Sequence, residues 1–149
     1  MPSQPYATLP QATEATRAAL TDLLDAFTRG DGDRLADYYD DDVDWLFHAP
    51  ASIFPFAGAR RGKADVFKGF AVLYQGYRVA AYRVEAMVVD GDRAATLSDG
   101  QLVQRATGRI VRVRTGNFYR FRAGKVIEYR GFTDSLDIVE QVLGRELEF

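Results

Sequence analysis

The chain has 149 residues, 47% hydrophobic and 13% aromatic, which suffices for one domain with a sizeable core. It contains no cysteine and a single histidine, excluding disulfides, cysteine-based zinc sites, a cysteine nucleophile and any histidine-rich metal centre. The formal charge of −2 argues against a general nucleic-acid binder, which needs a basic field to neutralise phosphates.

No apolar run approaches the roughly 18–20 residues needed to span a bilayer, so no membrane partner is expected. Residues 1–13, with three prolines, read as a loose arm ahead of one domain over residues 14–149. The arm has neither a basic start nor an apolar stretch, so it is not a signal peptide and a cytoplasmic location is expected. From Glu14, the apolar positions Leu20, Leu23, Leu24 and Phe27 recur at helical spacing, and Gly30 stops the helix. Asp31 or Asp33 caps a second, shorter helix that buries Leu35, Tyr38 and Tyr39.

A short strand follows from Val43 to Phe47, closed by Pro50, and then a glycine-bounded turn from Gly58 to Gly62. The third helix opens after Gly62 and ends at Gly76, with Val66, Phe67, Phe70, Leu73 and Tyr74 on its buried stripe. From Tyr77 to Thr133 the period changes to four long strands. Turns at Asp90-Gly91-Asp92, Thr107-Gly108 and Ala123-Gly124-Lys125 join them into an antiparallel meander. A last helix starts near Asp134 and runs through Leu136, Val139, Val142 and Leu143 to Gly144. Helices gathered on one side of a curved antiparallel sheet make an α+β fold with a natural cavity between the layers.

The stretch from Asp40 to Lys63 holds the only histidine and the only tryptophan. Trp45, Phe47, Phe54 and Phe56 read as core or cavity wall, and Tyr74 extends the apolar lining from the third helix. Apolar rings with a few polar groups are what a small-molecule site needs. His48, next to Phe47 at the end of its strand, is the leading proton-transfer candidate, against the alternative of a strand-end histidine. Asp99 shares the parity of Leu97 and Val103. If that parity faces the cavity, burial makes it a general base; otherwise it is a solvent-facing aspartate at a bulge beside Gly100. Asp134 reads first as the N-cap of the last helix and second as a group at the pocket mouth. Arg112, Arg114, Arg120 and Arg122 share the solvated parity of their strand, with Arg114 a candidate for turning inward to an anionic group. Asn117 and Tyr119, on the opposite parity, supply polar points inside the pocket. No metal site is expected, since the acidic run at Asp40 to Asp44 lacks the spacing of a calcium loop.

The element order and several motifs together resemble the NTF2-like superfamily, in its SnoaL-like and ketosteroid-isomerase-related branch. The motifs are Gly30-Asp31, Asp41-Asp42-Val43, Pro55-Phe56-Ala57-Gly58 with Gly62-Lys63, Gly124-Lys125-Val126, and Tyr129-Arg130-Gly131-Phe132-Thr133-Asp134. The resemblance implies a cone-shaped pocket, closed by helices over the curved sheet, and a homodimer formed through that sheet. It does not imply steroid isomerisation. The catalytic aspartate of those isomerases falls on Phe47, and their first-helix tyrosine falls near Leu23. The run Tyr129 to Asp134 matches the last strand of limonene epoxide hydrolases, whose Arg-x-Asp on a middle strand lacks its arginine at Ser98-Asp99-Gly100-Gln101. In polyketide-cyclase relatives a sheet carboxylate does acid/base work, and Asp99 stands in for it. The functional expectation is an acid/base enzyme without cofactor, with His48, Asp99 and Asp134 moving protons on a small apolar molecule. The alternative is a non-catalytic binding or accessory domain.

Overall fold

The computed structural model describes residues 8–149; residues 1–7 of the expected arm lie outside the described residues. Helix α1 (Leu9–Arg29) begins five residues before Glu14. Thr8 and Gln11 form a reciprocal capping box, and a proline in the first turn loses no intrahelical hydrogen bond there. Its C-terminal cap is Gly30, as the sequence indicates. Helix α2 (Gly32–Ala36) is capped by the Asp31 side chain on Arg34 N–H, and it buries Leu35.

Strand β1 (Tyr39–His48) is twice the expected length and takes Tyr39 out of the second helix. The turn expected from Gly58 to Gly62 contains a short edge strand, β2 (Gly58–Arg61), antiparallel to β1. Helix α3 (Lys63–Gly76) and strands β3 (Tyr77–Asp90), β4 (Arg93–Gln104), β5 (Ile110–Arg122) and β6 (Lys125–Thr133) follow as expected. Gly91, Gly108 and Gly124 each take a positive φ at the three turns, which a side chain would strain. Helix α4 (Ser135–Leu143) buries Ile138, whereas Leu136 and Leu143 are exposed.

The six strands form one mixed sheet in the order β2-β1-β6-β5-β4-β3. All pairs are antiparallel except β1 with β6, which run parallel, so the sheet is not the wholly antiparallel one expected. Register shifts interrupt β3 between Val79 and Ala81 and again between Val84 and Ala86, and β6 between Val126 and Glu128. Such irregularities bend a strand and raise its twist. Helices α1 and α3 lie against the concave side, and the core runs between the layers through Leu20, Leu35, Val43, Val66, Val111 and Val126, each buried. Among the described residues no helix is long and apolar enough to cross a membrane.

Candidate functional site

The core between the sheet and the helices does not fill completely. The remaining cavity has a volume of about 120 Å³. Helix α1 contributes Leu23, Leu24 and Phe27 to its walls, and α3 contributes Phe70 and Leu73. Trp45 and Phe47 point in from β1, Phe54 and Phe56 from the loop that follows it, and Ile138 from α4. The four aromatics expected as walls are walls. Trp45 stacks on Tyr129 with ring centroids 5.1 Å apart, and Phe27 meets Tyr82 edge-on at 5.4 Å, both favourable geometries for π-systems.

The polar part of the lining is a strip along the sheet formed by Tyr82, Thr115, Asn117, Tyr119 and Tyr129. Asn117 is its centre. The Tyr129 hydroxyl donates to Asn117 Oδ1 at 2.7 Å, while Asn117 Nδ2 donates to Thr115 Oγ1 at 3.0 Å and Thr96 Oγ1 at 3.1 Å. A buried amide with all three bonds made is a rigid, satisfied hub rather than a liability. Burial pushes the phenols of Tyr39, Tyr82, Tyr119 and Tyr129 above their ordinary range, because an ionised phenolate would lie in an apolar surround. At neutral pH they are uncharged hydrogen-bond donors. Among the described residues no carboxylate, imidazole, ammonium or guanidinium lines the cavity. Among the described residues no cluster of metal-ligating side chains occurs.

The expected proton-transfer trio does not meet there. In β1 the inward residues are Trp45 and Phe47, so strict alternation turns His48 to the opposite face, where it is exposed. It stacks on Phe132 with centroids 4.4 Å apart and planes 11° apart. Asp99 lies on that same outer face, because α1 and α3 cover the parity of Thr96, Ser98, Gly100 and Leu102 instead. Its Oδ2 accepts from Arg112 Nη2 at 2.9 Å, and its Oδ1 is buried without a partner. His48 and Asp99 stand on strands separated by three inter-strand spacings, about 14 Å. Asp134 is exposed and is the N-cap of α4, accepting from Asp137 N–H at 3.1 Å.

Two further expectations are corrected. Arg114 stays on the outer face, paired with Glu85 at 2.7 Å, since no bulge falls beside it to turn it inward. Tyr74 does not line the cavity; its hydroxyl donates to the Phe27 carbonyl at 2.7 Å and ties α3 to α1. Asn117 and Tyr119 are inside, as expected. Sequence reasoning missed Tyr82, Tyr39 and Thr115 as lining residues. Thr115 shares the inward parity of Asn117 and was findable. Tyr82 was hidden by the register shift just before it, which breaks the alternation from Val79.

A curved six-stranded sheet closed by helices over an apolar cavity defines an NTF2-like cone. The sequence model of the SnoaL-like domain matches residues 20–129, and the chain belongs to that family. A provisionally named isomerase from Rhodopseudomonas palustris is 34% identical, over 85% of this chain and 97% of its own, with a TM-score of 0.81. An NTF2-like protein from Burkholderia xenovorans shares the fold at 20% identity and a TM-score of 0.74, over 87% and 97% of the two chains. An epoxide hydrolase of M. tuberculosis resembling limonene epoxide hydrolase shares it at 15% identity and a TM-score of 0.73, over 89% and 92%. No curated protein matches the sequence.

Proposed function

We propose that the protein binds a small, neutral, largely apolar molecule in the cone without transforming it. One observation carries this reading: among the described residues the lining offers apolar walls and uncharged hydroxyl and amide groups, but no side chain able to take a proton at neutral pH. An ion would lose its hydration there with no counter-charge to replace it. The volume suits a molecule of about one ring, since an engineered apolar cavity of about 150 Å³ accepts benzene.

A second reading, the acid/base enzyme without cofactor, is favoured by the similarity to the isomerase named above. It would need a base brought to the cavity from outside its present lining. The two readings separate in one experiment, thermal stabilisation by a panel of apolar ketones, lactones and epoxides followed by chromatography of the incubated ligands. A ligand at about a hundred times its dissociation constant adds about 2.7 kcal/mol and raises the melting midpoint by several degrees. Binding with every ligand recovered unchanged is the expected result. Conversion of any ligand would restore the enzyme, and its loss in His48→Ala or Asp99→Asn would assign the base.

The same reading takes the protein as a cytoplasmic homodimer joined through the outer face of the sheet. Val88, Leu97, Phe118 and Phe132 are exposed on that face, an apolar band rarely left bare. Ion pairs of both signs flank it, Arg112 with Asp99 and Arg130 with Asp44, which a twofold axis can make self-complementary.

A further inference from the structure

Granted the binding reading above, the phenols of the cavity divide into those already engaged and one that is not. Tyr129 donates to Asn117 Oδ1, and the Asn117 amide donates in turn to Thr115 and Thr96. Tyr82 has the side chains of Ser98, Thr115 and Asn117 as hydrogen-bond neighbours, and Tyr119 has Thr96. Tyr39 has none. Its hydroxyl makes no hydrogen bond among the described residues. The residue is only 3% exposed, yet it lines the cavity, and its oxygen is not sealed off as the Ser98 hydroxyl is. Phe67 and Phe70 of α3 meet its ring edge-on at 5.7 and 5.8 Å and hold it in place. Neither ring carries a lone pair to take the proton. A buried hydroxyl left without a partner costs free energy, so a native structure that keeps one requires an explanation.

We propose that the Tyr39 hydroxyl is the ligand-recognising donor of the cavity, and that its partner is an acceptor oxygen, carbonyl or ether, on a small neutral ring. Burial holds the phenol in its protonated form, and a phenol donates a hydrogen bond better than it accepts one. An oxygen with lone pairs and no proton of its own therefore fits it best. A carboxylate is disfavoured, because among the described residues no cation lines the cavity. Leu23, Leu24, Phe27, Phe70 and Leu73 supply the apolar surround for the rest of the ring.

The test uses two matched pairs of probes: cyclohexanone with methylenecyclohexane, and tetrahydropyran with cyclohexane. Within each pair a carbon group replaces the oxygen at nearly the same shape. Trp45, the only tryptophan, lines the cavity and reports binding by its fluorescence. Each probe is titrated into the wild-type protein, Tyr39→Phe and Tyr82→Phe, so that the probes' own hydration cancels in the comparison. Tyr39→Phe is expected to weaken at least one oxygen compound about five- to tenfold, the equivalent of one hydrogen bond. Its hydrocarbon partner should stay within about twofold. Loss of cyclohexanone alone assigns a carbonyl, and loss of tetrahydropyran alone an ether. Tyr82→Phe, whose hydroxyl already has neighbours, should leave all four probes within about twofold. The infrared C=O stretch of bound cyclohexanone should lie below its value in an alkane, in the wild type and Tyr82→Phe alike, a reading that stands even if Tyr39→Phe does not fold. Equal effects of Tyr39→Phe on both members of each pair, or an unshifted stretch, would overturn the Tyr39 donor while leaving the binding reading standing. Failure of all four probes to bind the wild-type protein would overturn the binding reading itself, and this inference with it.

Discussion

Replacing Gly131 by alanine is expected to destabilise the fold more than any exposed substitution, although it adds only one methyl group. Gly131 lies on the inner face of β6, opposite Phe47 of β1 and Asn117 of β5. A Cβ there would collide with the Tyr129 hydroxyl, and it would sit 2.6 Å from Phe47 Cδ2 and 2.8 Å from Tyr129 Cζ. Those ring atoms stand roughly 1 Å inside ordinary van der Waals contact, so both rings must retreat. Overpacking of this kind costs about 1–3 kcal/mol. Moving the Tyr129 hydroxyl also breaks its 2.7 Å bond to Asn117 and leaves a buried amide oxygen unpaired, a further cost of about 1–3 kcal/mol. A combined loss of roughly 2–6 kcal/mol lowers the melting midpoint of a chain this size by about 4–24 °C. Circular dichroism melting measures the loss. Trp45 fluorescence measures the ring displacement, because Trp45 stacks on Tyr129. Gly116→Ala on the adjacent strand is the control. A Cβ at Gly116 meets nothing within 4 Å, so its effect should stay within about 0.5 kcal/mol. An unchanged midpoint and emission in Gly131→Ala would refute the claim that this corner of the cavity is tightly packed.

The buried phenols make stability depend on alkaline pH. Their folded pKa values lie above the unfolded value of 10.0, so their contribution is whole below that value and is lost as pH rises past it. The melting midpoint should therefore fall above about pH 10, with the buried phenolates detected by ultraviolet absorbance only as the fold is lost. Reversible titration of all the tyrosines near pH 10 in an intact fold would contradict this. On the outer face, sedimentation of the wild type should give a dimer, and Phe118→Glu, which places a charge in the apolar band, should give a monomer. A wild-type monomer, or a Phe118→Glu dimer, would remove that face as the joint.

The order and type of most elements were legible along the chain, because they rest on local signals. Gly30 and Gly144 end helices, Asp31 and Asp134 cap them, and three glycine turns divide the region from Tyr77 to Thr133 into strands. The alternation of Val111, Val113, Thr115, Asn117, Tyr119 and Phe121 with arginines showed which residues of β5 turn inward. The walls of the cavity were legible for the same reason, since an aromatic on an apolar parity has few places to go. The chemistry of the cavity was not. Asp99 shares its parity with Leu97 and Val103, so the strand pattern allowed either face, and only the side on which α1 and α3 settle made it an outer residue. Tyr82 reached the cavity through a register shift that leaves no mark in composition, and the parallel pairing of β1 with β6 joins segments some eighty residues apart. Helix period, strand period and caps are local properties of the chain, and the sequence by itself determined them. The choice of sheet face belongs to the balance of burial over the whole domain, and that only the tertiary structure decided.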